Sequence, residues 1–213
     1  TRRKGFLRKS GIEAFAMNKY NLHNGFKAIV MGGSAGSFQG IVKILSQLPV
    51  GFPLPIIMAL HRLKHVRHGF VEALSIKSNL RIVEPDDKES IKKGVVYLAP
   101  ANYHMSIELG NYFSLSTEHM VNNSRPSIDI TLDSAGYTYR NKLIGVLLSG
   151  ANKDGAMGMK RICERGGRTI VQKPEECMID TMPKAALSLT SIDHVLDIDQ
   201  IIGFFNELYQ HYI

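Results

Sequence analysis

The stretch that most constrains the fold is AIVMGGSAG, at residues 28–36. Its four leading apolar residues predict a buried strand, and Gly32, Gly33 and Gly36 permit a turn too tight for large side chains. The segment that follows has apolar residues at helical spacing. We therefore predict that Ser34, inside this turn, lies between a parallel strand and a helix, where ligands collect in sheets of this kind.

The turn also matches G-x-S-x-G, the pattern that exposes a nucleophilic serine between a strand and a helix. The unpaired N–H groups of the helix N-terminus, including that of Ala35, would stabilise an oxyanion. Two simpler interpretations stay open: a helix-capping serine in a glycine-rich turn, and a phosphate cradle. Nucleotide motifs are excluded, because Met31 occupies a glycine position of the dinucleotide fingerprint and no G-x-x-x-x-G-K-[ST] occurs.

Strands and amphipathic helices alternate along most of the chain, which is typical of a doubly wound α/β domain with helices on both faces of a mostly parallel sheet. In the middle, two close strands joined by Gly110-Asn111 predict an antiparallel hairpin insert. The predicted strands are 28–31, 55–60, 81–83, 95–98, 105–109, 112–115, 143–148, 168–171 and 194–196. The predicted helices are one ending at 48, then 66–77, 127–139 with Ser124 or Ser127 as its cap, 156–165, a short one after Pro183, and 199–209.

Ser34, His61 and Asp154 each follow a predicted strand of the parallel sheet. The carboxyl ends of parallel strands meet at one edge, so these side chains are predicted to converge as nucleophile, general base and orienting acid. Aspartate is also a favoured helix N-cap, and this alternative stays open for Asp154 because a helix follows it. Other acids are rivals on composition alone, namely Asp129, Asp133 and Asp180.

Basic residues follow the second predicted strand. Arg62, Lys64, Arg67 and His68 are predicted to form a basic rim beside the pocket, with a solvated helix face as the alternative. His65 and His68 could bind a metal, but no H-E-x-x-H motif or second group of ligands accompanies them. We therefore predict no metal site.

With 213 residues, the chain is long enough for one sizeable domain. It has neither the run of about 18 apolar residues that a membrane span needs nor a signal-peptide pattern, so we predict a cytoplasmic protein without membrane insertion. Its cysteines, Cys163 and Cys177, are too few for a disulfide framework.

The formal net charge of +7 is concentrated at the start of the chain, where residues 1–16 hold five basic side chains against Glu13 alone. Because Met17 looks like an ordinary initiator, we predict that residues 1–16 are an expression or read-through leader and that residues 17–213 form one domain. A native basic arm is the alternative, and a basic tail alone specifies little, so no nucleic-acid binding is predicted.

Five motifs together resemble the catalytic domain of the bacterial chemotaxis receptor methylesterase family, CheB. The likeness extends from about Phe26 to Leu208, with the motifs in the family's order. They are GGSAG around Ser34, IIMAL before His61, YLAPANYHM at 97–105, SRPSID at 124–129 and LLSGANKDGAMGM at 147–159.

The resemblance implies a protein-glutamate methylesterase that needs no metal or organic cofactor. Ser34 would attack the methyl ester of a glutamate on a cytoplasmic chemoreceptor helix, His61 would be the base, and Asp154 would orient it. Members of the family can also deamidate receptor glutamines. Arg62 and Arg125 are the candidates for substrate binding.

Some residues depart from the family's pattern. Ala35 replaces a common threonine, and Ala151 replaces a methionine, so these two candidates for the oxyanion hole and pocket wall predict a slower reaction or an altered substrate. The family's receiver domain has no room in this chain. If Met17 is the true start, a stand-alone enzyme controlled by a separate regulatory protein is expected; if the chain is a fragment, the regulator was cut away. Alternatives are a serine hydrolase or amidase with another substrate, and a non-catalytic signalling module.

Overall fold

The computed structural model describes residues 20, 22, 25–62 and 69–213. The predicted boundary between residues 16 and 17 therefore lies outside the described residues, as do Lys64, His65, Arg67 and His68. None of the described helices combines the length and the apolar composition that crossing a bilayer would take.

A seven-stranded parallel sheet forms the centre of the fold, in the order β3-β4-β2-β1-β7-β8-β9. Its strands are β1 (Ala28–Gly33), β2 (Ile56–Leu60), β3 (Arg81–Val83), β4 (Val95–Leu98), β7 (Leu143–Leu147), β8 (Arg168–Gln172) and β9 (His194–Leu196). Every residue of β1, β2 and β7 is buried, as expected for strands covered on both faces.

Six α-helices accompany the strands in the described part of the chain. They are α1 (Phe38–Gln47), α2 (Phe70–Ser75), α3 (Ile128–Tyr139), α4 (Ala156–Glu164), α5 (Thr181–Leu189) and α6 (Ile198–Gln210). Successive side chains of a strand point to opposite faces, so Ile29 joins the core under α1 and α6, whereas Val30 joins the core under α3 and α4. The sheet is thus covered on both faces, and the predicted doubly wound α/β fold is confirmed.

The predicted hairpin insert is also confirmed. Strands β5 (His104–Glu108) and β6 (Tyr112–Ser116) pair antiparallel as a separate two-stranded sheet. Side chains of α3 bind its backbone, since Thr131 Oγ1 donates to the Met105 carbonyl at 2.8 Å and Thr138 Oγ1 donates to the Ile107 carbonyl at 2.9 Å. The hairpin therefore lies against the helix that follows the loop at residues 117–127.

Two predicted helices differ from the observed ones by two residues or more, and the cap of a third does not bond to its own helix. The helix predicted at 66–77 is observed only as α2, from Phe70 to Ser75, and residues 63–68 lie outside the described residues. Helix α5 begins at Thr181, two residues before Pro183, because proline is tolerated in the first turn. Ser127 is the N-cap of α3, as predicted, but its side chain does not bond to its own helix.

Two glycines offer a test of the packing between β1 and α3. A Cβ at Gly32 would lie 2.3 Å from Ile128 Cγ2, whereas one at Gly203, on the exposed face of α6, would meet nothing within 4 Å. We expect Gly32→Ala to lower the free energy of unfolding by about 1–3 kcal/mol through overpacking. Gly203→Ala should raise it by up to about 1 kcal/mol, because alanine favours helix. Urea denaturation would measure both, and equal effects would contradict this account.

Candidate active site

The three predicted site residues emerge from adjacent strands of the sheet. Ser34 directly follows β1 and His61 directly follows β2, while Asp154 lies in the loop between β7 and α4. The backbone fixes the first two, because the Ser34 N–H donates to the Ser149 carbonyl at 2.9 Å and the His61 N–H donates to the Gly33 carbonyl at 3.1 Å. The carboxyl edge of the parallel sheet therefore brings these residues together.

His61 and Asp154 form a short hydrogen bond, with His61 Nε2 at 2.7 Å from Asp154 Oδ2. Because an ionised carboxylate only accepts, Nε2 carries the proton and Nδ1 is the basic nitrogen of the neutral ring. The predicted pairing of base and acid is thus present in the structure. The rival acids do not contact the ring: Asp133 pairs with Arg161 and Arg165, and Asp180 pairs with Lys184.

The Asp154 carboxylate is 0 % exposed and accepts hydrogen bonds at both oxygens. Oδ2 accepts from the Ile128 N–H at 2.7 Å as well as from His61. Oδ1 accepts from Asn122 Nδ2, Ser127 Oγ and the backbone N–H groups of Asp129 and Gly155, at 2.9–3.1 Å. Burial alone would raise the pKa of this carboxyl, but the hydrogen bonds from His61, Asn122 and the backbone outweigh it and hold the pKa below its ordinary value.

Asp154 therefore caps a helix, but not the one that follows it in sequence. The N-cap of α4 is Gly155, with a φ of 91°, and Asp154 instead accepts from the first N–H groups of α3. Asp129, in the first turn of α3, accepts in turn from the Gly158 N–H of α4 at 2.7 Å. Each helix thus has an orphan N–H group satisfied by an aspartate from the other.

Asp129 is close to the site without touching the imidazole. Burial raises the pKa of its carboxyl, the hydrogen bond from Gly158 opposes that rise, and the charge of Asp154 adds to it. Asn122 joins the two acids, because its Nδ2 lies 2.8 Å from Asp129 Oδ2 and 2.9 Å from Asp154 Oδ1. Two carboxylates of the same sign therefore share one amide donor group.

The basic side of His61 faces a cavity of about 510 Å³. Ser34, Ala35 and His61 line it, together with Arg62, Phe70, Met120, Asn123, Ser124, Arg125 and Pro126. Ser124 Oγ lies 3.4 Å from His61 Nδ1, whereas no hydrogen bond joins the Ser34 side chain to the ring among the described residues. Both serines line the space that a substrate would enter. Catalytic hydrogen bonds are often long before a substrate binds, so the missing bond between Ser34 and His61 does not exclude Ser34 as the nucleophile.

Backbone N–H groups are available beside Ser34. Ala35 lies in the exposed turn before α1, and within the described chain neither its N–H nor that of Ala151 has an acceptor. Ala35 lines the cavity, but Ala151 is exposed and does not contribute to the cavity wall. Gly36 closes the turn with a φ of 85°, and a Cβ there would lie 2.7 Å from Ser149 Oγ. The predicted glycine-rich turn therefore requires this glycine.

Arg62 lines the cavity, and its charge there is buried and paired. Its side chain is 2 % exposed, forms an ion pair with Glu84, and donates to the Ala99 carbonyl at 2.7 Å. The guanidinium also lies 5.5 Å from the centre of the Phe70 ring. The alternative of a solvated helix face is wrong at this position, because Glu84 pairs with the guanidinium and Phe70 packs against it.

Arg125 lines the cavity and organises the loop at residues 117–127. Its guanidinium donates to Asn102 Oδ1 at 2.8 Å and to the carbonyls of Thr117 and Glu118. His104 supports the same loop, since its Nε2 donates to the His119 carbonyl at 3.0 Å and its Nδ1 accepts from the Ser127 N–H. Both side chains thus hold the loop that carries Asn122 and Ser124 to the site.

Sequence reasoning missed Asn122, Ser124 and Ser127 as members of the site. Asn122 and Asn123 are the central residues of a two-residue turn, with φ of 50° and 57°, between Val121 and Ser124, which bond to each other. An Asn-Asn pair that can adopt a type I′ turn was the available signal. The Asn-Asn pair predicts the turn, but it does not predict that Asn122 contacts the carboxylates of Asp129 and Asp154.

A family description, curated relatives and a crystal structure all show the same similarity, to CheB-type methylesterases. The family description "CheB methylesterase" matches residues 29–205. A Leptospira interrogans protein, whose name provisionally assigns protein-glutamate methylesterase and protein-glutamine glutaminase activity, is 43% identical over 87% of this chain and 96% of its own length. The Thermotoga maritima protein with both activities in its name is 34% identical, and this chain spans 50% of it. The crystal structure of the Thermotoga maritima CheB methylesterase catalytic domain superposes with a TM-score of 0.82, at 33% identity, over 86% of this chain and 98% of that domain.

The double role of Asp154 predicts unequal effects on stability. Asp154→Ala would leave the first N–H groups of α3 and the Ser127 hydroxyl without their acceptor, so we expect the free energy of unfolding to fall by about 2–4 kcal/mol. His61→Ala removes only one donor to the same carboxylate and should cost about 1.5 kcal/mol, less than Asp154→Ala. Chemical denaturation of the two variants would compare them. Equal losses would show that the capping contacts contribute little.

Proposed function

Because this chain belongs to the CheB methylesterase family, we propose that it hydrolyses the methyl esters of glutamate side chains on chemoreceptors. The observation that carries the proposal is the geometry of His61. Its Nε2 is bound to a buried carboxylate at 2.7 Å, and its opposite nitrogen faces the cavity that Ser34 lines. Ser34, His61 and Asp154 are assigned as nucleophile, general base and orienting acid.

In the first step, Ser34 Oγ attacks the carbonyl carbon of the ester while His61 Nδ1 takes the hydroxyl proton. Asp154 keeps the Nε2 proton in place and stabilises the imidazolium that forms. The bond to the methoxy group then breaks, and His61 returns the proton to the leaving oxygen, which departs as methanol. The product of this step is an acyl-enzyme on Ser34.

The negative charge that develops on the carbonyl oxygen needs hydrogen-bond donors. We assign the backbone N–H group of Ala35 to this task, since it adjoins Ser34, lines the cavity and has no acceptor in the described chain. The N–H group of Ala151, the second candidate, also has no acceptor there, but it does not line the cavity and is not assigned. A lost oxyanion donor typically lowers kcat by roughly 100- to 1,000-fold.

The second step releases the glutamate. Water attacks the acyl carbon, His61 Nδ1 accepts the water proton, and the same proton then returns to Ser34 Oγ as the acyl bond breaks. An unmodified glutamine side chain could follow the same route with ammonia as the leaving group. The protein-glutamine glutaminase activity in the relatives' names corresponds to that reaction.

The cavity wall suits an uncharged ester better than an ion. Phe70, Met120 and Pro126 contribute apolar surface, and the two arginines of the wall are engaged with protein groups. Arg62 and Arg125 are therefore assigned to shaping the wall and its loop rather than to attracting acidic receptor helices by an exposed charge.

The proposal is tested by methanol release from methylated chemoreceptor membranes. We expect the protein to release methanol and Ser34→Ala to reduce release to the background of membranes alone, because the acyl-enzyme can no longer form. Release that persists in Ser34→Ala would contradict the assigned nucleophile. No release from the folded wild-type protein would contradict methylated receptors as substrate.

A serine-directed phosphonate separates the two serines of the cavity. We expect the phosphonate to add one covalent group, located by peptide mass spectrometry on Ser34, and we expect the group to appear at the same position in Ser124→Ala. Modification of Ser124 in place of Ser34 would contradict the assignment, and Ser124 is a genuine competitor because its Oγ lies 3.4 Å from His61 Nδ1.

A further inference from the structure

Asn122 connects the acid of the site to a second buried acid. Its Nδ2 group lies 2.9 Å from Asp154 Oδ1 and 2.8 Å from Asp129 Oδ2, so each of its two hydrogens has its own carboxylate. Its backbone holds a φ of 50°, a left-handed conformation that the turn at residues 121–124 requires. The side chain is thus aimed between the acids by a tight turn.

Without this amide, the two acids would lose the donor that they share, and the charge of each acts on the other. Each carboxylate is already committed to a helix, Asp154 to the start of α3 and Asp129 to the Gly158 N–H of α4, so neither can move away without losing backbone hydrogen bonds. Like charges at a shared buried site favour uptake of one proton by the pair. A proton on the Asp154 carboxyl would weaken its hold on His61.

We propose that Asn122 is a positioning residue that keeps Asp154 ionised and oriented toward His61 by donating to Asp154 and Asp129 at once. The proposal rests on the function assigned above to His61 and Ser34. Asn122 does not line the cavity, so it acts through Asp154 and not on a substrate. The titratable groups that face Asp154 are His61 and Asp129. His104 is linked to Asp154 only through Ser127, whose N–H donates to His104 and whose hydroxyl donates to Asp154.

The test measures how fast a serine-directed phosphonate modifies Ser34, because that rate depends on His61 and Asp154 whatever the natural substrate is. Asn122→Gly removes the amide and keeps the left-handed turn. We expect the limiting rate of modification to fall roughly tenfold to a hundredfold, the effect of losing a hydrogen bond to a charged group, with the half-saturating phosphonate concentration within about twofold of wild type.

Asn111→Gly is the matched control. Asn111 also has a positive φ, of 60°, and its amide joins two partners, the Ile91 carbonyl at 3.0 Å and the Tyr139 hydroxyl at 2.7 Å. It lies at the hairpin turn between β5 and β6, away from the cavity. Asn111→Gly should lower the thermal midpoint of unfolding while leaving the modification rate within about twofold of wild type.

Asn122→Asp provides a signature that a purely structural role would not produce. The new carboxylate repels both acids when all are ionised, but after uptake of one proton it can donate a hydrogen bond as the amide does. We therefore expect the ratio of the variant's modification rate to the wild-type rate to rise by roughly tenfold from pH 9 to pH 6.

Either of two results would overturn the proposal: a modification rate for Asn122→Gly within about twofold of wild type, or a ratio for Asn122→Asp that stays constant with pH. Wild-type protein whose Ser34 is not modified at all would overturn both this inference and the assigned nucleophile. Ser34 that reacts normally in a protein that releases no methanol would overturn only the proposed substrate, and the results for Asn122 would stand.

Discussion

The site depends on the placement of one buried carboxylate at the start of a helix. Asp154 Oδ2 accepts from the Ile128 N–H and from His61 Nε2, both at 2.7 Å, so the backbone of α3 fixes the atom that orients the imidazole. The N-terminus of a helix stabilises negative charge, which offsets the cost of burying this carboxylate. The acid is therefore held by the backbone of α3, and the side chains of Asn122 and Ser127 add donors at its other oxygen.

The same device joins α3 to α4. Asp129 returns the contact by accepting from the Gly158 N–H, and Gly158 lets the helices approach, since a Cβ there would lie 2.6 Å from Leu132 Cβ. Breaking either aspartate contact would disturb both helix starts. Because the carboxylate that binds His61 also caps α3, moving it would disturb both the imidazole contact and the packing of these helices.

Local sequence predicted most of the fold and the convergence of Ser34, His61 and Asp154. The strands are continuous apolar runs, and parallel strands place the residues that follow them at one edge. The reciprocal capping could not be predicted in this way. Asp154 precedes α4 and reads as its cap, and nothing in the periodicity says that it turns toward α3. The burial of the Arg62 charge could not be predicted for a related reason, because its partner Glu84 follows another strand, β3.

The assigned catalytic groups and the cavity wall lie on different parts of the fold. The assigned catalytic groups stand on the ends of β1 and β2 and on a helix start, which the core fixes on both faces of the sheet. Much of the cavity wall instead comes from the loop at residues 117–127, which Arg125 and His104 hold through hydrogen bonds to backbone groups. Residues of such a loop can change with little effect on the core. Substrate preference can therefore diverge at Met120 and Ser124 while the pairing of His61 with its acid is retained.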